Sequence, residues 1–249
     1  MAAMAADTGC DMTEEELLAM LKGISSSKGS RAYGGGADAS DERPAEEMEA
    51  TKSAFADAPD APVFLADCPE KHALNQYWYS PATIEAIAGE CTDACAALPD
   101  DDAALLGACL VSTPSVYFSL PPDARAKSYV LDLDEQWKDD RGFVRYDFNA
   151  PAAVPDALKH KFAIVVVDPP FITREVWTKY AETARLLVAP GGKLLCTTIA
   201  ENAPMLEELL GVKPNKFLPS IPHLVYQYNL YTDYKSERLD QPNKEIPAD

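Results

Sequence analysis

The sequence predicts an α/β protein built on a doubly wound, mostly parallel β-sheet. Short apolar runs alternate along the chain with segments that carry helix-capping residues, which is the pattern of strand–helix–strand units. One run, residues 162–167, is apolar throughout, as expected of a strand covered by helices on both faces. The last apolar runs follow one another without a helix between them. We therefore expect one reversed strand on the edge side of the sheet.

Capping signals and apolar runs define the individual elements. Ser80-Pro81 and Thr173 are good helix starts, and Gly211 is a good helix end. The predicted helices run from Pro81 to about Leu98, from Thr173 to about Val188, and over Glu201–Leu210. The predicted strands are Leu105–Val111, Tyr129–Leu133, Phe143–Tyr146, Phe162–Val167, Lys193–Thr198 after the turn Pro190-Gly191-Gly192, and an antiparallel pair formed by Phe217 and His223–Tyr231.

The first 62 residues have a different composition from the rest. Thr13-Glu14-Glu15-Glu16 has capping-box spacing and predicts a short helix within residues 1–23. Residues 24–62 are rich in Ser, Gly, Ala, Pro and acids, which predicts a disordered acidic linker that is dispensable for activity. We expect the ordered domain to span residues 63–240, followed by a C-terminal tail over residues 241–249.

Charge and composition exclude several functional classes. With 22 Lys and Arg against 40 Asp and Glu, the net charge is −18, which disfavours nucleic-acid binding and favours a basic protein partner. No run approaches the ~18 apolar residues of a membrane span, and the N-terminus lacks the basic and apolar regions of a secretory signal. The six scattered cysteines are typical of a reduced, cytoplasmic protein, and we expect a monomer.

The sequence contains no motif that supports a metal site or a hydrolase active site. Cys91 and Cys95 lie one helical turn apart, but none of the three histidines is near them in sequence, so we expect no metal site. The histidines have no Ser or Cys partner at a meaningful spacing and are expected to be structural. Neither a G-x-S-x-G motif nor a phosphate-binding P-loop is present.

Polar residues follow each of the first four predicted strands. In doubly wound sheets the ligand binds at the carboxyl ends of the strands, near the point where the strand order reverses. The four segments expected to meet there are Ser112-Thr113-Pro114-Ser115, Asp132 with Asp134, Asp147-Phe148-Asn149, and Asp168-Pro169-Pro170-Phe171.

The first three segments predict a nucleoside site. Asp132 and Asp134 lie about 20 residues beyond Ser112, the spacing at which an acid meets a ribose diol. Asp134 is the first choice because it lies further past the strand, although both acids could be a polar strand end. Asp147 is either an acceptor for an adenine amino group, with Phe148 against the ring, or part of a solvated turn.

The first loop also narrows the choice of cofactor. Residues 112–115 contain no G-x-G, so the backbone cannot approach a pyrophosphate closely, and NAD and FAD lose support. A nucleoside ligand without a pyrophosphate fits better. S-adenosylmethionine is such a ligand, with Ser112 and Ser115 as candidate contacts.

Asp168-Pro169-Pro170-Phe171 is suited to holding an amine. Two prolines fix two φ angles and remove two N–H donors, so a carboxylate and free carbonyls remain as acceptors beside an aromatic ring. The alternative is a plain strand-terminating turn. The segment before the first domain helix, Asn75-Gln76-Tyr77-Trp78-Tyr79-Ser80, is either a lid over ligand and target or a hydrophobic staple and anchor in the core. Gln76, Tyr77 and Trp78 are its candidate cofactor contacts.

Several stretches carry a family resemblance. The tetrapeptide is similar to the [DN]-P-P-[FYW] motif of methyltransferases that modify amine nitrogens, and the chain from about residue 70 to 235 resembles the eukaryotic elongation factor 1A lysine methyltransferase family. Phe171 in place of Tyr and the long acidic segment before residue 63 depart from that family's pattern. The matching stretches are Leu74–Ser80, Ala108–Tyr117, Phe143–Asn149, Phe162–Phe171 and Lys193–Thr197.

This resemblance implies a Rossmann-like class I methyltransferase fold, a mostly parallel seven-stranded sheet with one antiparallel strand and helices on both faces. It also implies S-adenosylmethionine as cofactor, a lysine of elongation factor 1A as target, and Asp168, Pro169, Pro170 and Phe171 as catalytic residues. Two alternatives stay open. An N6-adenine nucleic-acid methyltransferase could use the same tetrapeptide, although the net charge disfavours it, and a degenerate fold could serve as a non-catalytic interaction module.

Overall fold

The structure is a computed structural model that describes residues 51–55, 62–99 and 104–247. The helix predicted within residues 1–23 and most of the predicted linker at residues 24–62 lie outside the described residues.

A seven-stranded sheet forms the centre of the domain. Its strand order is β3-β2-β1-β4-β5-β7-β6, in which β1 to β5 pair parallel and β7 runs antiparallel to both β5 and β6. The predicted mostly parallel sheet with one reversed strand is confirmed. The strands are β1 (Leu106–Val111), β2 (Tyr129–Asp132), β3 (Phe143–Arg145), β4 (Phe162–Val167), β5 (Val188–Ile199), β6 (Lys213–Pro214) and β7 (Tyr228–Thr232).

Helix boundaries follow the capping residues. The Ser80 hydroxyl accepts a hydrogen bond from the Thr83 amide at 3.3 Å, the Thr173 hydroxyl accepts one from the Val176 amide at 3.4 Å, and Gly211 ends its helix at a φ of 70°. Three helices of four or five residues were not predicted, because elements so short show no periodicity. The helices are α1 (Val63–Asp67), α2 (Pro81–Ala96), α3 (Pro114–Phe118), α4 (Pro122–Arg125), α5 (Arg174–Leu187) and α6 (Ala203–Leu210).

The central strands are covered on both faces. Alternate residues of β1 enter different cores: Ala108 and Leu110 pack into the cluster that contains α2, whereas Cys109 and Val111 pack into the cluster that contains α5. Successive side chains of a strand point to opposite faces, so two cores sharing one strand confirm the predicted helices on both faces. The order reverses between β1 and β4, which fixes the position of a ligand crevice.

The predicted final strand pair is wrong in its first member and too long in its second. Strand β6 is Lys213–Pro214, whereas the Phe217 amide donates to the Leu239 carbonyl at 3.0 Å, so Phe217 is paired outside the sheet. Residues 223–227 form turns before β7 begins at Tyr228. The apolar residues of this segment predicted a strand, but Leu224 lines a cavity and Val225 is exposed.

The ordered contacts extend beyond both ends of the predicted domain. Thr51 and Glu70 form an antiparallel bridge with N–O distances of 2.7 and 2.9 Å, and the Thr51 hydroxyl lies 2.6 Å from Nε2 of His72. At the other end Asn243 is buried and donates to the Leu218 carbonyl at 2.9 Å. Hydrogen bonds therefore recruit short polar segments that apolar patterns assign to a linker and a tail.

Truncation tests whether the Thr51 contacts support the domain. A chain that begins at Val63 loses the bridge to Glu70, the contact with His72 and the packing of Phe55 against the core, whereas a chain that begins at Met48 keeps all three. We expect the shorter chain to be less stable by at least ~1–2 kcal/mol, the contribution of one or two hydrogen bonds. Chemical denaturation of the two chains measures the difference. Equal midpoints and slopes would mean that residues 51–55 lie on the domain without stabilising it.

Candidate active site

A cavity of about 180 Å³ opens at the carboxyl ends of β1, β2, β3 and β4. This is the crevice that the reversal of strand order predicts. The sequence-predicted residues that line it are Gln76, Tyr77, Trp78, Ser112, Asp132, Asp147, Phe148, Asp168, Pro169, Pro170 and Phe171. Ser115 and Asp134 are the two predicted site residues outside the lining.

Asp168 lies at the end of β4 with its two carboxylate oxygens in different situations. Oδ2 accepts a hydrogen bond of 2.6 Å from the Tyr79 hydroxyl, and that hydroxyl lies 2.6 Å from Oγ1 of Thr197 on β5. Oδ1 has no hydrogen-bond partner among the described residues. Burial raises the pKa of Asp168 to about 7, and the nearby hydroxyls of Tyr79 and Thr197 act in the opposite direction without outweighing burial. One oxygen is thus fixed by the protein and one remains for a ligand.

The two acids after β2 take different roles. The Asp134 carboxylate accepts from Nζ of Lys71 at 2.8 Å and from Nε2 of Gln76 at 3.0 Å. Burial acts to raise its pKa, but the bonds from Lys71, the Gln136 amide and Gln76 outweigh burial and lower it. Asp134, the first choice from sequence for a ribose diol, is therefore occupied by protein donors.

Asp132 is the acid that faces the cavity. It is only 7% exposed, and its Oδ1 accepts from the Asp134 amide at 2.8 Å, which leaves Oδ2 without a partner among the described residues. Burial raises the pKa of Asp132 to about 7. The free oxygen of a carboxylate at the end of the second strand is what a ribose diol requires.

Residues 71–78, here called the strap, cross the cavity from β2 to β4. At one side Lys71 and Gln76 bind Asp134, and at the other the side-chain amide of Asn75 donates to the Pro170 carbonyl. Asn75 has a φ of 53°, a left-handed conformation that Asn adopts more readily than most residues. The strap supplies six consecutive residues of the lining, 73–78, and closes one wall of the site.

The buried carboxylate of Glu70 anchors the base of the strap. Glu70 is fully buried, accepts from the Trp78 amide at 2.8 Å, and lies 2.6 Å from Nδ1 of His223. The Trp78 indole packs edge-on against Phe64 at 5.2 Å and donates to the Cys68 carbonyl. Trp78 is therefore a core anchor, one of the two alternatives left open by the sequence.

Ser112 replaces the glycine that a nucleotide-binding loop usually has after its first strand. It has a φ of 58°, a conformation that costs a non-glycine residue about 1–2 kcal/mol. Its hydroxyl lies 2.8 Å from the Tyr180 hydroxyl on α5, and its amide donates to the Leu131 carbonyl at 2.8 Å. These contacts hold the sharp turn from β1 into α3. Ser115, inside α3, is buried beneath this turn.

Aromatic rings form the wall after β3 and β4. Phe148 contacts Phe171 edge-on, with ring centroids 6.4 Å apart, and lies 5.8 Å from the Tyr180 ring. Beside them, Asp147 accepts from the Asn149 amide at 2.9 Å through one oxygen. An apolar wall next to a carboxylate is suited to a purine ring with an exocyclic amine.

The sequence did not single out Glu70, Lys71 or Thr197 as site-forming residues. It placed Asn75 and Tyr79 in the expected lid or core anchor, but it gave neither of them a partner. Tyr79 and Asp168 are 89 positions apart, and Asn75 and Pro170 are 95 apart. The only available signal was the density of amides and aromatics in residues 75–79. No group of three or more His, Cys, Asp or Glu side chains suited to a metal occurs in the part of the chain that the structure describes.

The chain is similar in sequence to proteins of one known family. Residues 70–236 match a family model described as "Probable N6-adenine methyltransferase". The chain belongs to this family. Curated relatives include EEF1A lysine methyltransferase 1 of Mus musculus, 35% identical over 67% of this chain and 76% of the relative, and that of Homo sapiens, 34% identical over the same shares. Protein-lysine N-methyltransferase EFM5 of Saccharomyces cerevisiae is 30% identical over 49% of each chain.

Among solved structures, the CurJ carbon methyltransferase superposes with a TM-score of 0.41 at 14% identity, covering 69% of this chain and 60% of that one. Among the described residues, no helix has the length and apolar character needed to cross a membrane.

Paired substitutions test which acid meets the cofactor expected from the sequence, S-adenosylmethionine. Asp132→Asn removes the free carboxylate oxygen and should weaken affinity at least tenfold. Asp134→Asn should change affinity less and instead lower stability by ~1–2 kcal/mol, because Lys71 and Gln76 lose a charged acceptor at a partly exposed site.

Titration calorimetry and chemical denaturation measure the two effects. At pH 8 the Asp132→Asn protein should be at least as stable as the wild type. The raised pKa means that Asp132 favours folding at low pH and that this contribution declines as pH rises from about 4 to about 7. A larger loss of affinity in Asp134→Asn would assign the ribose to Asp134.

Proposed function

We propose that this protein is an S-adenosylmethionine-dependent protein-lysine N-methyltransferase that acts on translation elongation factor 1A. The observation that carries the proposal is Asp168, which lines the cavity together with Pro169 and Phe171 and whose Oδ2 is held by Tyr79. Family membership and the names of the curated relatives support both the reaction and the target.

The charge of the cavity favours a cationic substrate. Three carboxylates, Asp132, Asp147 and Asp168, line it, and its described lining contains no Lys, Arg or His. A lysine ammonium is attracted to such a site, whereas a nucleic-acid phosphate is repelled. The N6-adenine alternative is supported by the description of the family model, but neither the cavity nor the net charge of −18 favours a polynucleotide.

The residues present fit S-adenosylmethionine. Asp132 would accept from the ribose diol, Phe148 would contact the adenine ring, and the free oxygen of Asp147 would accept from the adenine amine. When bound, this cofactor supplies a methyl group activated by a positive sulfur. The turn at Ser112 suits a ligand without a pyrophosphate, because a side chain occupies the position of the usual glycine.

The chain contributes alignment and control of a proton. At pH 7.4 only about one lysine in a thousand is neutral, since the usual pKa is ~10.4. Desolvation in a closed cavity lowers the pKa of a lysine, while the Asp168 carboxylate opposes that change. The ammonium would lose one proton to water before the site closes. Asp168 Oδ1 and the Pro169 carbonyl would then accept the two N–H bonds of the neutral amine and orient its lone pair. Phe171 would pack along the lysine stem.

The mouth of the cavity fits a protein surface. Of the three large apolar side chains that are exposed among the described residues, Leu133 lines the cavity and Val225 is next to the lining residue Leu224. Their exposed fractions are 44% and 59%. Apolar residues around an acidic cavity favour a folded protein with an exposed lysine over a free amino acid.

Labelled methyl transfer tests the proposal. Purified protein and labelled S-adenosylmethionine, incubated with recombinant elongation factor 1A, should label the factor on lysine. Asp168→Ala should lower turnover at least tenfold, because it removes an acceptor worth ~1–3 kcal/mol and the alignment it gives. Its stability at pH 8 should not fall, since a buried carboxylate with a raised pKa is removed.

Phe171→Tyr is the matched control, because it keeps the ring and should be nearly silent. A cell extract treated separately with nuclease and protease distinguishes the substrate classes. Label that is lost only after nuclease treatment would replace the lysine assignment with the N6-adenine alternative. Unchanged turnover in Asp168→Ala would mean that Asp168 has no role in the reaction.

A further inference from the structure

Tyr79 is the residue that determines how Asp168 is presented to the cavity. Its side chain is 1% exposed and contributes no wall to the cavity. Its hydroxyl is the single donor to Asp168 Oδ2 among the described side chains, at 2.6 Å, and Oγ1 of Thr197 lies 2.6 Å on its other side. Three oxygens thus form a chain that starts in the core and ends at the cavity.

The donor and acceptor order in this chain follows from the ionised carboxylate. An ionised Asp168 only accepts, so the Tyr79 hydroxyl donates to it and must itself accept from Thr197. If Asp168 takes a proton, the carboxyl can donate to Tyr79, and the two hydroxyls reverse direction without movement of a heavy atom. Both protonation states of Asp168 are therefore hydrogen-bonded.

We propose that Tyr79 is a positioning residue for methyl transfer, which fixes Asp168 Oδ2 through the hydroxyl chain with Thr197 so that Oδ1 alone receives the substrate amine. This inference rests on the proposed lysine methylation. It explains why a residue outside the cavity wall has its hydroxyl directed at the motif and why a threonine lies at this point of β5.

In the described part of the chain, the titratable side chains packed around Asp168 are neutral near pH 7, and Asp132 and Asp147 are the other carboxyl groups that line the cavity. The ionisable side chains that face it are Tyr79 before α2, Tyr180 on α5, Cys196 on β5 and Tyr228 on β7, and burial raises the pKa of each, so all are neutral near pH 7. The Tyr79 hydrogen bond is therefore the main feature that stabilises the ionised form of Asp168. Its loss should raise the pKa of this carboxyl.

Tyr79→Phe in the full-length protein tests the inference, with Tyr117→Phe as a matched control. Tyr117 is also buried and its hydroxyl donates to a carboxylate, Oδ1 of Asp140, at 2.7 Å, but it does not line the cavity. Both variants should lose similar stability. Only Tyr79→Phe should lower kcat on elongation factor 1A about tenfold, with KM changed less than about threefold.

Two further readouts separate positioning from structural support. The lower apparent pKa in the pH profile of kcat/KM should move upward in Tyr79→Phe and stay in place in Tyr117→Phe. In a double-mutant cycle, adding Tyr79→Phe to the Asp168→Asn protein should lower kcat less than twofold further, because both substitutions act through one carboxyl group. The inference would be overturned if the effects of Tyr79→Phe and Asp168→Asn on kcat multiplied as independent effects do. It would also be overturned if the kcat of Tyr79→Phe were no lower than that of Tyr117→Phe.

Two results would each require a second variant or measurement: a Tyr79→Phe protein that does not fold, and a wild type that methylates no lysine. If Tyr79→Phe does not fold, Thr197→Val takes its place and should lower kcat at least twofold, and an unchanged kcat overturns the inference. If the wild type methylates no lysine, the proposed function fails by itself. Carbon NMR titration of the Asp168 carboxyl then tests Tyr79, since Tyr79→Phe should raise that pKa and Tyr117→Phe should not.

Discussion

Two carboxylates held in a cavity without a basic side chain in its described lining are the constraint on which the site depends. Asp132 and Asp168 end β2 and β4, and burial raises the pKa of each to about 7. A core that served stability alone would not place two acids there without a cationic partner, because burying a carboxylate without a counter-charge is costly. The cost is reasonable if a ribose diol and an amine are to occupy the free oxygens. Functional sites often retain such locally unfavourable arrangements.

The strap makes this arrangement possible by closing the cavity with polar contacts. Asp134 receives Lys71 and Gln76, so the other acid of β2 is neutralised and only Asp132 remains for a ligand. Asn75 occupies the Pro170 carbonyl, so this carbonyl is not available to a ligand, and our proposal assigns the amine to Asp168 and the Pro169 carbonyl. The hydrogen bonds made by residues 70–80 thus determine which acceptors after β2 and β4 remain available to a ligand.

Local sequence signals predicted what is local in the structure. The apolar run of β4, the caps Ser80 and Thr173, and the end of α6 at Gly211 were predicted because each depends on neighbouring residues. Strand direction and the position of the crevice followed from alternation of the elements. The choice between Asp132 and Asp134, and the bond from Tyr79 to Asp168, were not predictable. They depend on pairings across 58 to 89 positions that no periodicity reports.

In the proposed reaction, Asp168 Oδ1 accepts a hydrogen bond from the amine of a lysine. A crystal structure of the protein with S-adenosylhomocysteine and a lysine-containing peptide of elongation factor 1A measures this directly. We expect the lysine Nζ within about 3 Å of Asp168 Oδ1 and of the Pro169 carbonyl, with Tyr79 still bonded to Oδ2 and the ribose on Asp132. A lysine bound elsewhere, or a nucleoside that occupies the space beside Asp168, would contradict it.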